Sequence, residues 1–209
     1  MSRDHLHPDK PIDKHGFILP HWKQDEVMQF VTFRLGDSLP NEKIRHWRHQ
    51  KLLWDKNNPE PWTPDQFAEY HRRFTWRLEK WLDGCEGSCL FREAQNREIL
   101  EAVLMFDEGA KVEHHAWVIM PNHVHLLFKP LAPLEKLIQA WKSLSARRIG
   151  RGSIWQQNYR DTMIRDSQHF ANAVRYIRRN PFKARLPVGD FTSWESERAK
   201  GVPDKRDNA

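Results

Sequence analysis

The chain has 209 residues, of which 39% are hydrophobic and 30% charged, and its formal net charge is +6. No apolar stretch approaches the roughly 20 residues that cross a membrane, and the polar N-terminus lacks the apolar segment of a signal peptide. Two cysteines are too few for a disulfide scaffold. The sequence therefore predicts a folded protein of the reducing cytoplasm with no membrane partner.

The first half of the chain is predicted to contain one strand followed by helices. Residues 1–20 are polar and without periodicity, which is typical of a mobile N-terminal arm. The run VMQFVTFRL at 27–35 is β-branched and aromatic, so it predicts a buried strand. Helical spacing then indicates a helical insert over about 41–110. Its three predicted helices span 42–54, 65–82 and 94–107.

The second half changes to the period of two that is typical of strands. In chain order the predicted elements are strands at 111–120 and 123–129, a basic helix at 134–149, a strand at 153–165 and a helix at 168–180. Pro121 and Asn122 join the first two strands into a β-hairpin. The predicted fold class is α+β, an antiparallel sheet with helices packed on it. We expect one domain over 21–190 and a tail over 191–209.

Positive charge is concentrated towards the C-terminal end of the chain. Residues 136–185 contain twelve Lys and Arg but two acidic residues, so this segment carries +10 and the remaining chain −4. Aromatic residues are interleaved with these cations. The pattern favours a nucleic-acid-binding surface, and the alternative is a solvated basic face.

Two histidines flank Val124 at the beginning of the second hairpin strand. Residues at positions i and i+2 of a strand point to the same face, so His123 and His125 can converge on one cation. The alternative is a pair of half-exposed histidines beside a turn, because the chain contains twelve histidines and such a spacing arises by chance.

The last predicted helix carries Tyr176 and Asn180 four residues apart, which places them on one helical face. Nearby cations and a metal would favour the tyrosine phenolate and neutralise a phosphodiester. The amide oxygen of Asn180 can supply a third metal ligand. The alternative is an ordinary surface tyrosine at the edge between helix and sheet.

Four stretches of the sequence, taken in order, carry a resemblance to a known family. They are VTFRLGDSLP (31–40), HAWVIMPNHVHLLF (115–128), SIWQQNYRDTMIRD (153–166) and YIRRNPFKARL (176–186). With these motifs the chain resembles the single-tyrosine HUH transposases, and among them the REP-associated tyrosine transposases of bacteria. The resemblance spans about 27–186 and implies the ferredoxin-like or RRM-like HUH fold.

The resemblance implies a reaction and residues that carry it. Tyr176 matches the catalytic tyrosine, and His123 and His125 match the metal ligands of the HUH motif. Asn180 matches a third ligand of amide type. The implied activity is DNA transposition, in which single-stranded DNA is cleaved and rejoined at palindromic hairpins through a 5′-phosphotyrosine intermediate. Histidine and amide ligands with open water positions suit Mg²⁺ or Mn²⁺.

The resemblance also implies supporting residues. Asp161 is expected to accept a hydrogen bond from a ligand histidine, with a strand-edge charge as the alternative. Trp155 is expected either to stack on a base or to lie buried under a helix. The candidates for contacts to DNA phosphates, each with a solvated side chain as its alternative, are Arg147, Arg148, Arg151, Arg175, Arg178 and Arg179.

Two other functions are compatible with the same residues. The first is a hairpin-binding protein that performs no chemistry, and the second is an HUH nickase of the replication or relaxase type. We expect a monomer or homodimer associated with the bacterial nucleoid, and the sequence leaves open whether Tyr176 acts in its own subunit. Tyr159 is a less favoured rival nucleophile, and the spacing of Cys85 and Cys89 is predicted to be incidental.

Overall fold

The computed structural model describes residues 5–6, 13–15, 21–23 and 27–204. Near the N-terminus, strands β1 (Asp13–His15) and β2 (His21–Lys23) pair with each other in antiparallel orientation. Most of the predicted mobile arm, 1–20, lies outside the described residues.

Five further strands form one antiparallel sheet. They are β3 (Gln29–Arg34), β4 (Val112–Ile119), β5 (His123–Pro130), β6 (Arg160–Met163) and β7 (Thr192–Glu195). Their order across the sheet is β6-β3-β5-β4-β7. The α+β class is confirmed, and the predicted hairpin is the central pair formed by β4 and β5.

Two parts of the sheet differ from the sequence prediction. The strand predicted over 153–165 is limited to β6, and the residues before it form a single bridge between Trp155 and Leu35. Residues 191–204 were predicted to be tail, yet they supply β7, which pairs with β4. The ring of Trp194 stacks on Trp117 with centroids 6.3 Å apart, and this packing holds the added edge strand.

The helices of the described residues lie mainly between β3 and β4, where the predicted helical insert is confirmed. They are α1 (Asn41–Asn57), α2 (Pro64–Tyr70), α3 (Trp76–Asp83), α4 (Ala94–Met105), α5 (Leu134–Ile149), α6 (Ser167–Lys183) and α7 (Glu197–Lys200). A π-helical turn, His71–Thr75, joins α2 to α3. None of the helices described is both long enough and apolar enough to span a membrane.

Side-chain caps fix where two of these helices begin. Thr63 Oγ1 accepts a hydrogen bond from the backbone N–H of Gln66, and Gln66 Oε1 accepts one from the backbone N–H of Thr63, a capping box that starts α2. Asp166 accepts from the backbone N–H of His169 at 2.7 Å and starts α6. The α6 cap orients the helix that carries Tyr176.

An aromatic cluster holds the insert helices together. Trp54 packs edge-on against Trp62 at 4.9 Å between ring centroids and against Phe74 at 6.0 Å. Tyr70 packs against Trp62 at 4.6 Å. Burial of these large rings fixes α1 against α2 and against the π-helical turn, which continues directly into α3.

The sheet has a different set of helices on each face. On β5, Val124, Leu126 and Phe128 point towards α4 and α5 and join the larger core, which includes Trp117 and Trp141. The alternate residues of β5 point towards α6, where Leu127 joins a smaller core with Val174 and Ile177. His123 and His125 lie on this second face, because side chains alternate along a strand.

Candidate active site

The two histidines of β5 face each other inside the protein. His123 Nε2 lies 3.1 Å from His125 Nε2, and each residue is 1% exposed. The intervening Val124 is buried in the opposite core. The alternative of half-exposed histidines beside a turn therefore does not describe this pair.

The other ring nitrogen of each histidine has its own partner. His123 Nδ1 lies 2.7 Å from Asn122 Oδ1, while Asn122 Nδ2 donates to the Leu82 carbonyl at 3.1 Å. Because that amide oxygen can only accept, His123 must donate from Nδ1 and keep a lone pair on Nε2. His125 Nδ1 lies 2.8 Å from Thr32 Oγ1 across the β3–β5 pairing. Partners of this kind orient histidines for metal binding.

Both imidazoles are held in the neutral form. Burial, together with the positive charge of Arg34, lowers the pKa of His123 to about 3. Burial and the neighbouring His123 hold the pKa of His125 well below its ordinary value. Neutral imidazoles are the form that binds metals. Two nitrogens about 2.1 Å from a shared ion and at right angles are about 3.0 Å apart, which fits the separation of the two Nε2 atoms.

Asn180 provides a third polar group that has no partner within the described residues. The residue is 2% exposed, and neither its amide oxygen nor its amide nitrogen has a hydrogen bond there. Buried amides are nearly always hydrogen-bonded, so both polar atoms of Asn180 are open to a ligand. Two neutral imidazoles and an amide oxygen are ligand types that fit a divalent cation. In the described residues, no three histidine, cysteine, aspartate or glutamate side chains are grouped so that they could hold a metal ion.

Tyr176 lies on α6 against the histidine pair. Its ring packs edge-on to His125 with centroids 5.1 Å apart, and edge-on to Phe30 at 5.6 Å. Phe30 also stacks on His125 at 5.7 Å. The helix thus brings Tyr176 and Asn180 to the same face of the sheet as the two histidines, as the four-residue spacing predicts.

Helix α3 of the insert covers this tyrosine with carboxylates. Burial raises the pKa of Tyr176 above its ordinary range, and the charges of Glu79 and Asp83 raise it further. Glu79 lies 3.6 Å from Arg160, and Asp83 lies 3.6 Å from Lys183, as nitrogen–oxygen distances. Each of the two carboxylates has a raised pKa of its own, caused first by burial. The site thus combines a phenol with acidic and basic groups that face one another.

Two of the sequence-predicted residues are not brought to the histidine pair. Asp161 pairs with Val31 across the sheet and points to the opposite face, so it reaches neither His123 nor His125. The hydrogen-bonding role expected for Asp161 belongs to Asn122 and Thr32 instead. The second residue is Trp155, which is buried and only 8% exposed.

The packing of Trp155 explains its burial. It stacks on Phe91 at 5.1 Å between centroids and packs edge-on against Phe33 at 4.8 Å. Its indole N–H donates to Ser145 Oγ at 2.8 Å. The structure therefore matches the buried alternative for Trp155 rather than base stacking.

The six candidate arginines fall into different environments. Arg178 pairs with Glu195 at 2.8 Å and with Asp204 at 2.7 Å. Arg175 donates to Asn172 at 2.7 Å, and Arg151 lies 3.7 Å from Glu93. The other three arginines take no part in these ion pairs and this hydrogen bond. Arg147 and Arg148 are exposed near the end of α5, and Arg179 is half-buried on α6.

Sequence reasoning missed the residues that other elements bring to the site. They are Thr32, Glu79, Asp83, Asn122, Arg160 and Lys183. Asn122 was visible as the neighbour of His123 in the turn. Glu79 and Asp83 have the i,i+4 spacing of one helical face, but nothing local connects α3 to α6.

The two cysteines of the insert are free thiols. Cys89 Sγ donates to the backbone carbonyl of Cys85 at 2.9 Å. Burial, followed by the neighbouring Cys85, raises the pKa of Cys89 to about 12, so its thiol is protonated and unreactive.

The part of the chain that contains both histidines, Tyr176 and Asn180 is similar to a known family. Residues 88–180 match the family described as "Transposase IS200 like". A REP-associated tyrosine transposase of Escherichia coli (strain K12) is 24% identical over 115 residues, which are 52% of this chain and 70% of that protein. A solved structure of a REP-associated tyrosine transposase bound to a REP hairpin aligns with a TM-score of 0.40 and 16% identity, over 78% of this chain and 71% of that one.

Proposed function

Because this chain is related to the IS200-like transposases over residues 88–180, we propose that it is a divalent-metal-dependent tyrosine transposase. Its substrate is single-stranded DNA at palindromic hairpin elements, which it cleaves and rejoins. The observation that carries the proposal is the buried pair of Nε2 atoms 3.1 Å apart, beside a tyrosine on the facing helix.

The chemistry assigned to Tyr176 is a balanced exchange of phosphodiester bonds. Its hydroxyl gives up a proton and attacks phosphorus, so that an Oη–P bond forms as the P–O3′ bond breaks. The released 3′ oxygen takes a proton and leaves as a 3′ hydroxyl, and the DNA stays attached as a 5′-phosphotyrosine. A second 3′ hydroxyl then attacks the same phosphorus and releases the tyrosine. Covalent catalysis divides one transfer into two similar steps.

Three residues of the chain are suited to hold the metal. His123, His125 and Asn180 would bind Mg²⁺ or Mn²⁺, which when bound would polarise the scissile phosphate and stabilise charge on its oxygens. The orphaned amide of Asn180, the lone pair on His123 Nε2 and the closeness of the two Nε2 atoms support this assignment. Thr32 and Asn122 keep the two rings in the required orientation.

Cations near Tyr176 support the proposal that it attacks a phosphate. Arg160 and Lys183 flank the tyrosine and are paired with Glu79 and Asp83 across gaps of 3.6 Å. A DNA phosphate entering the site offers these cations a second anionic partner. The positive segment 136–185 supports a nucleic-acid substrate, and the relative named as REP-associated supports a palindromic one.

The experiment that tests the proposal is a search for a covalent protein–DNA adduct. The purified protein is incubated with a labelled single-stranded DNA hairpin and Mn²⁺, and the mixture is analysed by denaturing gel. We expect an adduct with the wild type, none in EDTA and none with Tyr176→Phe. Tyr159→Phe, which removes a hydroxyl elsewhere, serves as the matched control and should retain the adduct. An adduct that persists in Tyr176→Phe would overturn the proposal.

A second candidate function is hairpin binding without cleavage. The observation that favours it is the raised pKa of Tyr176 beneath the carboxylates of Glu79 and Asp83, because a protonated phenol is a poor nucleophile. This function predicts a salt-sensitive complex on a native gel with no covalent product at any metal concentration.

A further inference from the structure

A second basic site lies where the insert meets the sheet. A cavity of about 480 Å³ lies between the end of β3 and the first turns of α1. Its lining includes Arg34 from the strand and Arg45 and Arg48 from the helix, and no acidic side chain contributes to it. We call this site the arginine cavity.

No carboxylate of the described residues neutralises the three arginines. Arg34 is 7% exposed, and the one side-chain partner of its guanidinium within the described chain is the Ser38 hydroxyl, at 2.7 Å. Burial and the nearby charge of Arg48 lower the pKa of Arg34 to about 10. In the described residues no carboxylate lies within ion-pair distance of Arg34, Arg45 or Arg48. A buried cation with another cation beside it is unfavourable unless an anion joins them, and Arg34 is that buried cation.

The beginning of α1 adds to the positive character of the arginine cavity. Pro40 occupies the N-cap and supplies no side-chain hydrogen bond, and Asn41 of the first turn lines the cavity. Free backbone N–H groups and the helix dipole at such an end attract anions. Arg45 and Arg48 are three residues apart, so both side chains lie on one face of this 17-residue helix.

The arginine cavity is next to the histidine pair. Arg34 and His123 are directly paired across the β3–β5 ladder. The backbone N–H of Leu35 donates to the Asn122 carbonyl at 2.8 Å, which joins the two sites again. A chain of phosphates that places one group at the histidine pair therefore brings another within reach of the arginine cavity.

We propose that the arginine cavity binds a backbone phosphate of the same DNA strand, close to the phosphate that is cleaved. The proposal rests on the proposed function and deepens it, because it gives helix α1 of the insert a role in holding the substrate. Arginine forks bind phosphate oxygens in pairs, which fixes the position of the strand as well as its charge. Arg178, by contrast, is already engaged by Glu195 and Asp204.

The test measures DNA binding without cleavage. A fluorescein-labelled DNA hairpin with a single-stranded flank is titrated in EDTA against the wild type and the double variant Arg45→Gln/Arg48→Gln, followed by fluorescence anisotropy at several salt concentrations. Both residues are exposed, so the variant keeps the core intact. We expect affinity to fall about 10-fold to 100-fold and the salt slope to fall by about 0.7 to 1 per lost phosphate contact.

Two controls make the result specific to a phosphate at this cavity. Arg72→Gln/Lys80→Gln removes two exposed cations of the insert that do not line the cavity, and its affinity should stay within about 3-fold of wild type. Neutral methylphosphonates are then placed singly along the flank. We expect a position where neutralisation weakens the wild type but not the Arg45→Gln/Arg48→Gln variant.

The outcomes separate this proposal from the proposed function. If both double variants lose affinity equally, or if no methylphosphonate position distinguishes the wild type from the cavity variant, the arginine cavity does not bind a DNA phosphate. If the cavity variant loses binding as expected while the wild type never forms an adduct in Mn²⁺, the cavity assignment stands and the transposase activity fails.

Discussion

The two faces of strand β5 differ in the kind of side chain that they bury. On the face towards α4 and α5, Leu126 and Phe128 pack among apolar side chains and Trp141. On the face towards α6, His123 and His125 are equally buried, yet their Nε2 atoms point at each other. One face buries mainly aliphatic and aromatic side chains, and the other buries two imidazoles beside Tyr176.

The face towards α6 includes a buried group whose polar atoms lower stability. Burying a polar atom without a hydrogen bond is unfavourable by about 1 to 3 kcal/mol, and the α6 face contains an amide of Asn180 with both polar atoms unmatched in the described residues. Such groups persist at functional sites because a ligand completes them. The comparison of the two faces can therefore be tested by perturbing each separately.

Truncation of the apolar face should give the largest loss of stability. Phe128 is fully buried between His114 and Trp141, so Phe128→Ala should lower the free energy of unfolding by about 3 to 5 kcal/mol. Chemical denaturation measures this change. The fraction of folded protein that forms the DNA adduct should be unaffected, and a selective loss of adduct at full stability would contradict the separation of the two faces.

Truncation of the polar face should mainly lower metal affinity and have a smaller effect on stability. His125→Ala removes one of two converging nitrogens, and we expect Mn²⁺ affinity to fall at least about 100-fold, or about 2.7 kcal/mol. The unfolding free energy should change less than in Phe128→Ala. Calorimetric titration with Mn²⁺ measures the affinity, and exposed His46→Ala serves as the matched control. Unchanged Mn²⁺ affinity in His125→Ala would refute the metal site.

Removal of an orienting hydroxyl should have a smaller effect on metal affinity. Thr32→Val keeps the shape of the side chain but deletes the 2.8 Å partner of His125 Nδ1. Loss of such a partner lowers metal affinity by about 10-fold to 100-fold in other proteins, and we expect the lower end here. Calorimetric Mn²⁺ titration again measures it. An affinity equal to that of the wild type would show that the hydroxyl does not orient the ring.

Acidification should weaken the metal-free protein modestly. Because burial lowers the pKa of His123 to about 3, the unfolded chain takes up a proton below about pH 6.5 that the folded chain does not. Stability is therefore complete above that pH and is lost as the pH falls. The free energy of unfolding should drop by at least about 1 kcal/mol between pH 7.5 and 5.5. His123→Ala should flatten this dependence, whereas His46→Ala should not.

The sequence was sufficient to predict the central hairpin and the helix that faces it. Alternation places His123 and His125 on one side of β5, and the spacing of Tyr176 and Asn180 places both on one side of α6. Residues 88–180 match the family described as "Transposase IS200 like", and this region contains two of the four motifs from which the resemblance was drawn.

Sequence patterns could not predict contacts between elements that are distant along the chain. Asp161 lies one residue away from a position on β6 that faces the histidine pair. The prediction missed this because the pairing of Asp161 with β3 is set by the tertiary fold and not by the local sequence. Glu79 meets Tyr176 only because the aromatic cluster of the insert holds α3 in place. The prediction of a tail was wrong for β7, because Trp194 pairs with Trp117, which is distant in the sequence.

The most direct test of the account is to locate the covalent bond. The chain contains three tyrosines, so a protein–DNA adduct formed in Mn²⁺ can be digested with nuclease and protease and its nucleotide remnant assigned by mass spectrometry. The account predicts the remnant on the peptide that contains Tyr176 and on no other. A remnant on the peptide of Tyr70 or Tyr159 would contradict the assignment of the nucleophile and with it the role given to the histidine pair.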